Sequence, residues 1–197
     1  LFSQRILKII IKHLAQIKNI HYDKTMEKSA TLNFQIIAVD DGFAYDVQLI
    51  SKDATIGDYI RLLDEFLDEK VAPCLGCDLC CSQRIPLTLP DIYTYAGKEK
   101  ESIAAFMKEN AEIRFNGKAV DIKLAQRSDG SCIFLDRENH KCSNHIHRSL
   151  TCHTYICLPQ TERARNLREE LINQGEDALT AALFEWELLN DEGRKNN

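Results

Sequence analysis

The chain has 197 residues, 44% of them hydrophobic, and is therefore long enough to bury a core without crosslinks. Its 30 acidic residues against 25 Lys and Arg leave a formal net charge of -5. This argues against nucleic acid as a partner, because phosphate binding depends on clustered Lys and Arg. The eight cysteines are not explained as the disulfide framework of a small secreted domain, since such frameworks serve chains too short to build a core.

The first 21 residues predict an amphipathic helix. Apolar residues recur there at helical spacing, at Phe2, Ile6, Ile10, Leu14 and Ile17. Lys8 and Lys12 interrupt the apolar run and no cleavage site of small residues follows, so we expect neither a signal peptide nor a transmembrane segment. We expect the helix to dock on its own domain, with a membrane surface or a partner as the alternative, and we expect a cytoplasmic protein.

The next segment predicts a hairpin followed by a helix. Residues 31–51 form two strand-like runs joined at Asp41-Gly42, which is a strong hairpin signal. A helix is expected from Thr55, with Asp58 in the position of a capping box. Its predicted buried stripe is Ile60, Leu63, Phe66 and Leu67. We interpret residues 1–70 as a helix-hairpin-helix annex with a structural role.

The remaining elements are mostly helical. A short helix is expected from Pro90 to a turn at Gly97, and a second helix from Ser102, with Ile103, Phe106 and Met107 inward. Asn116-Gly117 predicts a second small hairpin. From Thr161 to Asn190 the pattern is helical again but interrupted at Gly175; its apolar face is Leu179, Leu183, Trp186 and Leu189. The prediction is an α+β fold, mainly helical with two small β-hairpins, around a cysteine-rich metal-binding core in residues 71–160, with 161–197 as a C-terminal helical segment.

The early cysteines lie in "CLGCDLCC", residues 74–81. Cys74, Cys77 and Cys80 are three apart, as in the bacterial ferredoxin run, where one loop supplies three thiolates and a fourth comes from elsewhere. Adjacent side chains point in different directions, so Cys81 is expected to serve a second site or to lie behind the ligands. The fourth partner of the early three should then come from the late cysteines.

The late cysteines are Cys132, Cys142, Cys152 and Cys157. Their spacing does not match the paired C-x2-C knuckles of zinc fingers. Eight sulfurs divide into two sites of four, which suits either zinc or cubic iron-sulfur clusters. Cys152 and Cys157 are expected to meet at one site, together with Cys81, although Cys157 could instead be a buried apolar cysteine. Four histidines also fall here and could replace a thiolate, but a solvent-facing or capping role is more common: His140, His145, His147 and His153.

Two further roles for the thiols are disfavoured. A disulfide framework would suit the even number of cysteines, but not the length of the chain. A thioredoxin-like dithiol needs C-x-x-C at a strand-to-helix junction, and no alternating strand-helix pattern surrounds Cys74.

The order of the motifs resembles the YkgJ-like family, which takes its description from a CxxCxxCC motif and is associated with chelation of zinc or iron. The resemblance covers roughly residues 74–157. After the cysteine run, its elements are matched by Leu87, Thr88 and Asp91, then by Gly130, Cys132, Phe134 and Leu135, and finally by Cys142, Arg148 and Cys152. The chain departs from the pattern at Asn144, His145, Ser149 and His153, which leaves the thiols intact.

The resemblance implies a metal centre ligated by cysteines. We expect its ligands among all eight thiols, although Cys157 lies outside the matched family elements: Cys74, Cys77, Cys80, Cys81, Cys132, Cys142, Cys152 and Cys157. An iron-sulfur cluster of the 4Fe-4S type is the leading cofactor and zinc the alternative. The implied role is electron transfer or interaction with a protein partner, with a zinc-stabilised interaction module as the alternative. Larger relatives include flagellin lysine N-methylases, which offers an enzyme hypothesis, but the chain has no G-x-G loop and the sequence favours a binding protein. The oligomeric state is left open.

Overall fold

The computed structural model describes residues 27–28, 31–40, 42–70, 78–117, 119–155 and 159–189, with the backbone alone for 27–28 and 66–70. The predicted N-terminal helix lies outside the described residues, and so do Cys74, Cys77 and Cys157.

The described elements alternate between short antiparallel sheets and helices. The strands are β1 Glu27–Lys28, β2 Leu32–Val39, β3 Gly42–Leu49, β4 Ala111–Asn116, β5 Ala119–Leu124, β6 Leu135–Asp136 and β7 Lys141–Cys142. The helices are α1 Ile56–Lys70, α2 Leu89–Ala96, α3 Lys100–Asn110, α4 Leu150–His153 and α5 Glu162–Glu185. Two 3-10 turns span Leu79–Ser82 and His145–His147. The α+β class predicted from the sequence is confirmed.

A first core lies between an antiparallel sheet, in the order β1-β2-β3, and α1. The hairpin predicted at Asp41-Gly42 joins β2 to β3, with Val39 paired to Gly42. Helix α1 begins with the predicted capping box: the Asp58 carboxylate accepts hydrogen bonds from the Thr55 N–H and hydroxyl, and the Thr55 hydroxyl accepts one from the Asp58 N–H. Leu63 is buried as predicted, but its fully buried neighbours are Tyr59 and Leu62, and Ile60 is only half-buried. Over the side chains that the structure describes, the buried face of α1 is thus rotated relative to the predicted stripe, since the sheet it meets determines which side faces inward. The side chains of Phe66 and Leu67, also in that stripe, lie outside the described residues.

A second core is built from α2, α3 and the β4-β5 hairpin. The hairpin turns where Asn116-Gly117 predicted it, and Gly117 has a φ of +63°, in the left-handed region that favours glycine. Helix α2 ends at Gly97, also as predicted, with a φ of +74°. Ile103 and Met107 of α3 are buried, whereas Phe106 is half-buried and stacks on Tyr95 with ring centroids 5.2 Å apart.

Helix α5 packs against both cores. Ala164 near its start belongs to the first core, and Leu179 and Leu183 belong to the second. The predicted interruption at Gly175 is wrong, because α5 is continuous from Glu162 to Glu185. The glycine serves close packing instead: a Cβ at Gly175 would lie 2.7 Å from the Cβ of Thr88, at the start of α2.

The division of the chain at residues 70 and 160 stays a prediction.

None of the helices in the described ranges is long and apolar enough to cross a bilayer.

Candidate metal centre

Five cysteines line one cavity of about 60 Å³: Cys80, Cys81, Cys132, Cys142 and Cys152. All five are free thiols. They come from separate parts of the chain: the first 3-10 turn, the loop before β6, strand β7 and helix α4. Tyr95 and Phe134 form an aromatic part of the wall. The fold therefore brings two early cysteines beside three late ones.

The first 3-10 turn positions Cys80 and Cys81. Its backbone is held by hydrogen bonds from the Cys81 N–H to the Asp78 carbonyl (3.0 Å) and from the Gln83 N–H to the Cys80 carbonyl (3.1 Å). Both Cys80 and Cys81 line the same cavity. That Cys81 serves a second site, or lies behind the ligands, stays a prediction. In a 3-10 turn successive side chains are about 120° apart, rather than opposite as in a strand, so two neighbours can flank one space.

The loop that carries Cys132 is joined to that turn and braced by an arginine. The Cys132 N–H donates to the Cys81 carbonyl at 2.6 Å. The Arg127 guanidinium donates to the carbonyls of Cys132 (2.8 Å), Ile133 (2.6 Å) and Leu135 (3.0 Å). The Phe134 N–H points at the Cys132 sulfur, 3.4 Å away, and would stabilise a thiolate there. The role of Arg127 was not predicted from the sequence, because no local signal links this residue to the loop that begins five residues further on.

Asp91 links the start of the helix that carries Cys152 to the start of α2. Its carboxylate accepts from the Thr88 N–H (2.9 Å) and hydroxyl (2.8 Å) on one side and from the Leu150 N–H (2.7 Å) on the other. Asp91 is 4% exposed, and burial raises its pKa despite these hydrogen bonds. The hydroxyl of Ser149 accepts a hydrogen bond from the Cys152 N–H at 3.3 Å and so caps the N-terminus of α4. One buried carboxylate thus positions Cys152 relative to α2.

The thiols differ in how easily they ionise. A hydrogen bond with Cys81 lowers the pKa of Cys80 to about 7, and the same hydrogen bond raises the pKa of Cys81. Burial raises the pKa of Cys132 and Cys142, and raises that of Cys152 to about 12. Without a positive ion in the cavity, Cys80 is therefore the first of these thiols to ionise. When a metal binds, every thiol that ligates it loses its proton, whatever its pKa in the metal-free chain.

The four histidines of this region have different surroundings. His140 makes a 2.7 Å contact with Asp78, the residue before the first 3-10 turn, and His147 is exposed. His145 lines the cavity and contacts Arg148. His153 also contacts Arg148. Burial, followed by the neighbouring Arg148 charge, lowers the pKa of His153. His145 is thus the histidine of this group that reaches the cavity wall.

The donor chemistry of the cavity fits zinc or iron. Thiolates are preferred ligands of both, and five thiols share the wall. Within the described ranges, however, no three Cys, His, Asp or Glu side chains already stand in a metal-binding arrangement. Cys74 and Cys77, which complete the early group, lie outside those ranges. The described residues thus form a thiol-lined cavity but not a closed set of ligands.

Comparison with known proteins identifies one family. Residues 73–174 match the family model CxxCxxCC, described as a "putative zinc- or iron-chelating domain". No curated protein and no solved structure matched the chain. The matched segment covers more than half of the 197 residues and carries all eight cysteines. The resemblance seen in the sequence is therefore confirmed, and the protein belongs to the family that this CxxCxxCC model describes.

Proposed function

We propose that the protein holds one or two cysteine-ligated iron-sulfur clusters and acts in electron transfer or in interaction with a protein partner. Metal binding as such is supported by the family match. The observation that carries the cluster proposal is the convergence of five thiols from separate chain segments on one cavity. When bound, such a cluster would supply one-electron redox chemistry.

The ligand set follows from combining the cavity with the early spacing. Cys80 lies in the cavity wall, and Cys74 and Cys77 precede it at the ferredoxin spacing. These three would be joined by a late thiol, for which Cys132, Cys142 and Cys152 are placed at the cavity. Cys81 and the remaining late thiols, with Cys157, would hold a second metal or support the first.

The chain's own residues prepare the site for buried thiolates. The Phe134 N–H is directed at the Cys132 sulfur, and such hydrogen bonds stabilise the charged form of a ligand. Tyr95 and Phe134 add aromatic surface to the cavity wall, and an apolar wall around a cluster is one of the protein's means of tuning it.

Zinc is the second candidate. The family description includes it, and a site of four thiolates suits tetrahedral zinc as well as a cluster. In that case the metal would support the fold or an interaction surface. A small lysine methylase stays a hypothesis from the sequence resemblance, to be tested by methyl transfer from an adenosyl donor to a protein lysine.

Anaerobic purification of the full chain, followed by iron, zinc and acid-labile sulfide analysis, tests the proposal. We expect iron and sulfide in stoichiometric amounts, with visible absorbance. Cys80→Ser should lose the bound iron, and so should at least one of Cys132→Ser, Cys142→Ser and Cys152→Ser. Ser82→Ala is the matched control on the same turn, because its exposed hydroxyl donates only to the Leu79 carbonyl among the described contacts.

The outcomes separate the candidates. A colourless protein with stoichiometric zinc and no sulfide would replace the cluster by zinc. A protein that retains neither metal, and takes up neither on anaerobic reconstitution, would refute the metal-binding role. Loss of iron from Cys80→Ser, with iron retained in each of the late substitutions, would show that the late thiols do not share the site.

A further inference from the structure

Arg148 lies in the wall of the thiol cavity with its side chain only 13% exposed. All three of its guanidinium nitrogens have partners. Nε donates to Nδ1 of His153 (3.2 Å), Nη1 to Nε2 of His145 (2.7 Å) and Nη2 to Oδ1 of Asp64 (2.7 Å). The guanidinium is therefore held in one place and does not extend into solvent.

Arg148 is the one Lys or Arg among the described residues that line this cavity. The rest of the described lining is made of thiols, apolar and aromatic side chains, a serine and His145. A metal or cluster bound by four thiolates carries a net negative charge in such surroundings. Burying that charge is unfavourable unless a cation is close by. The position of Arg148 meets this need.

The carboxylate that holds Arg148 comes from outside the family-matched segment. Asp64 lies on α1, before residue 73, where the match begins. Helix α1 packs against α4, the helix that carries Cys152, and this contact brings Asp64 within reach of Arg148. Asp64 is 39% exposed, so water screens its charge more than that of the less exposed Arg148. The pair therefore leaves a positive charge at the cavity.

We propose that Arg148 compensates the negative charge of the thiolate centre and that Asp64 of α1 is the positioning residue that holds its guanidinium at the cavity. The inference rests on the proposed function, because it requires a bound metal. It gives the segment before the family domain a part in the metal centre. For a bound cluster it also predicts a reduction potential that falls when the positive charge is removed, since the oxidised cluster is then relatively favoured.

The experiment measures the affinity of the full-length, metal-free chain for Co²⁺ and Zn²⁺, by anaerobic competition with a chelator. Arg148→Gln should weaken binding by about 10- to 100-fold, as is typical when a residue that supports metal ligands is changed. Arg148→Lys should recover part of this loss, because it keeps the charge but not the forked hydrogen bonds. Matched charge changes away from the cavity, Glu65→Gln on α1 and Arg114→Gln on β4, should leave the affinity within about twofold of the wild type.

A double-mutant cycle tests the role of Asp64. Asp64→Asn alone should weaken binding less than Arg148→Gln, and should add almost nothing in the Arg148→Gln background, because it acts through that side chain. An additive effect would refute the positioning role. Unchanged affinity in Arg148→Gln would refute charge compensation.

Two controls keep these results interpretable. Thermal unfolding of each metal-free variant separates loss of binding from loss of fold. If Arg148→Gln does not fold, Asp64→Asn decides alone: weaker binding supports the proposal and unchanged affinity overturns it. A wild-type chain that binds neither ion and no cluster would refute the proposed function itself. Metal binding that is insensitive to Arg148 would refute only the present inference.

Discussion

Replacing Asp91 by alanine should destabilise the protein more than the loss of an ordinary helix cap. The substitution leaves two buried backbone N–H groups, of Thr88 and Leu150, without their acceptor. A buried polar group left unpaired costs about 1–3 kcal/mol, so the sum for the two groups is about 2–6 kcal/mol. Burial raises the pKa of Asp91, which means that its ionised form is itself costly, and we therefore expect the lower half of that range at neutral pH.

Urea unfolding followed by fluorescence is a suitable assay. Trp186 is the single tryptophan of the chain and lies 6.3 Å, centroid to centroid, from Tyr93 of α2. The helix start that depends on Asp91 is therefore close to the probe. Asp91→Asn should fall between alanine and the wild type, because one amide oxygen can serve only part of the three hydrogen bonds. In the native, metal-free chain, alkylation of Cys152 should be faster in Asp91→Ala, since α4 loses the carboxylate that caps it.

Asp58→Ala is the matched control for this substitution. It removes the same kind of capping box from α1, but at the surface and serving a single helix. We expect a smaller loss of unfolding free energy than in Asp91→Ala. Equal losses in the two variants, or a fully stable Asp91→Ala, would refute the reasoning that the buried carboxylate joins two helices.

Three further results are expected. Gly175→Ala should destabilise the protein by about 1–3 kcal/mol through the clash with Thr88, whereas Gly57→Ala, whose Cβ would meet only Thr55 Oγ1 at 3.5 Å, should be neutral or stabilising; urea unfolding compares the two, and a stabilised Gly175→Ala would contradict the close approach. Burial alone would raise the pKa of Asp46, but hydrogen bonds from Arg163, Thr161 and Gln35 hold this pKa at about 2. The ionised Asp46 therefore stabilises the folded state fully at a pH above its ordinary pKa of 3.8, and this contribution is lost as the pH falls through 2. Asp46→Asn should thus cost about 2 kcal/mol at pH 7, with the difference from wild type shrinking between pH 4 and 2; a difference that does not depend on pH would count against this. In the metal-free chain, Cys80 should be alkylated faster at pH 7 than the other described thiols, and Cys81→Ser should slow the alkylation of Cys80. Mass spectrometry of the labelled peptides measures these rates, and faster labelling of another described thiol would contradict the prediction.

Elements with short-range signals could be predicted from the sequence. The hairpins at Asp41-Gly42 and Asn116-Gly117 and the capping box of Thr55 and Asp58 each depend on residues within a few positions of one another. Turn geometry and capping are local physics, so tertiary packing did not alter them. The family resemblance could likewise be recognised, because the CxxCxxCC motif is defined by residue spacing along the chain.

Contacts between distant residues were not readable in this way. Gly175 looked like a helix breaker, because its local effect is to weaken a helix, whereas its reason lies in Thr88 on another element. The same holds for the face of α1, which the sheet selects, and for Arg127, whose partners are carbonyls that any residue provides.

The sequence by itself determined the types of element, their turns and caps, and the presence of thiols at metal-binding spacing. Tertiary structure decided which thiols share a space, and it placed Arg148 and Asp64 beside them. The physical reason is that sulfur and charge are properties of single residues, whereas a cavity and an ion pair between helices exist only once packing has brought separate segments together. The spacing along the chain determines which thiols are available, and the fold determines which of them lie close together.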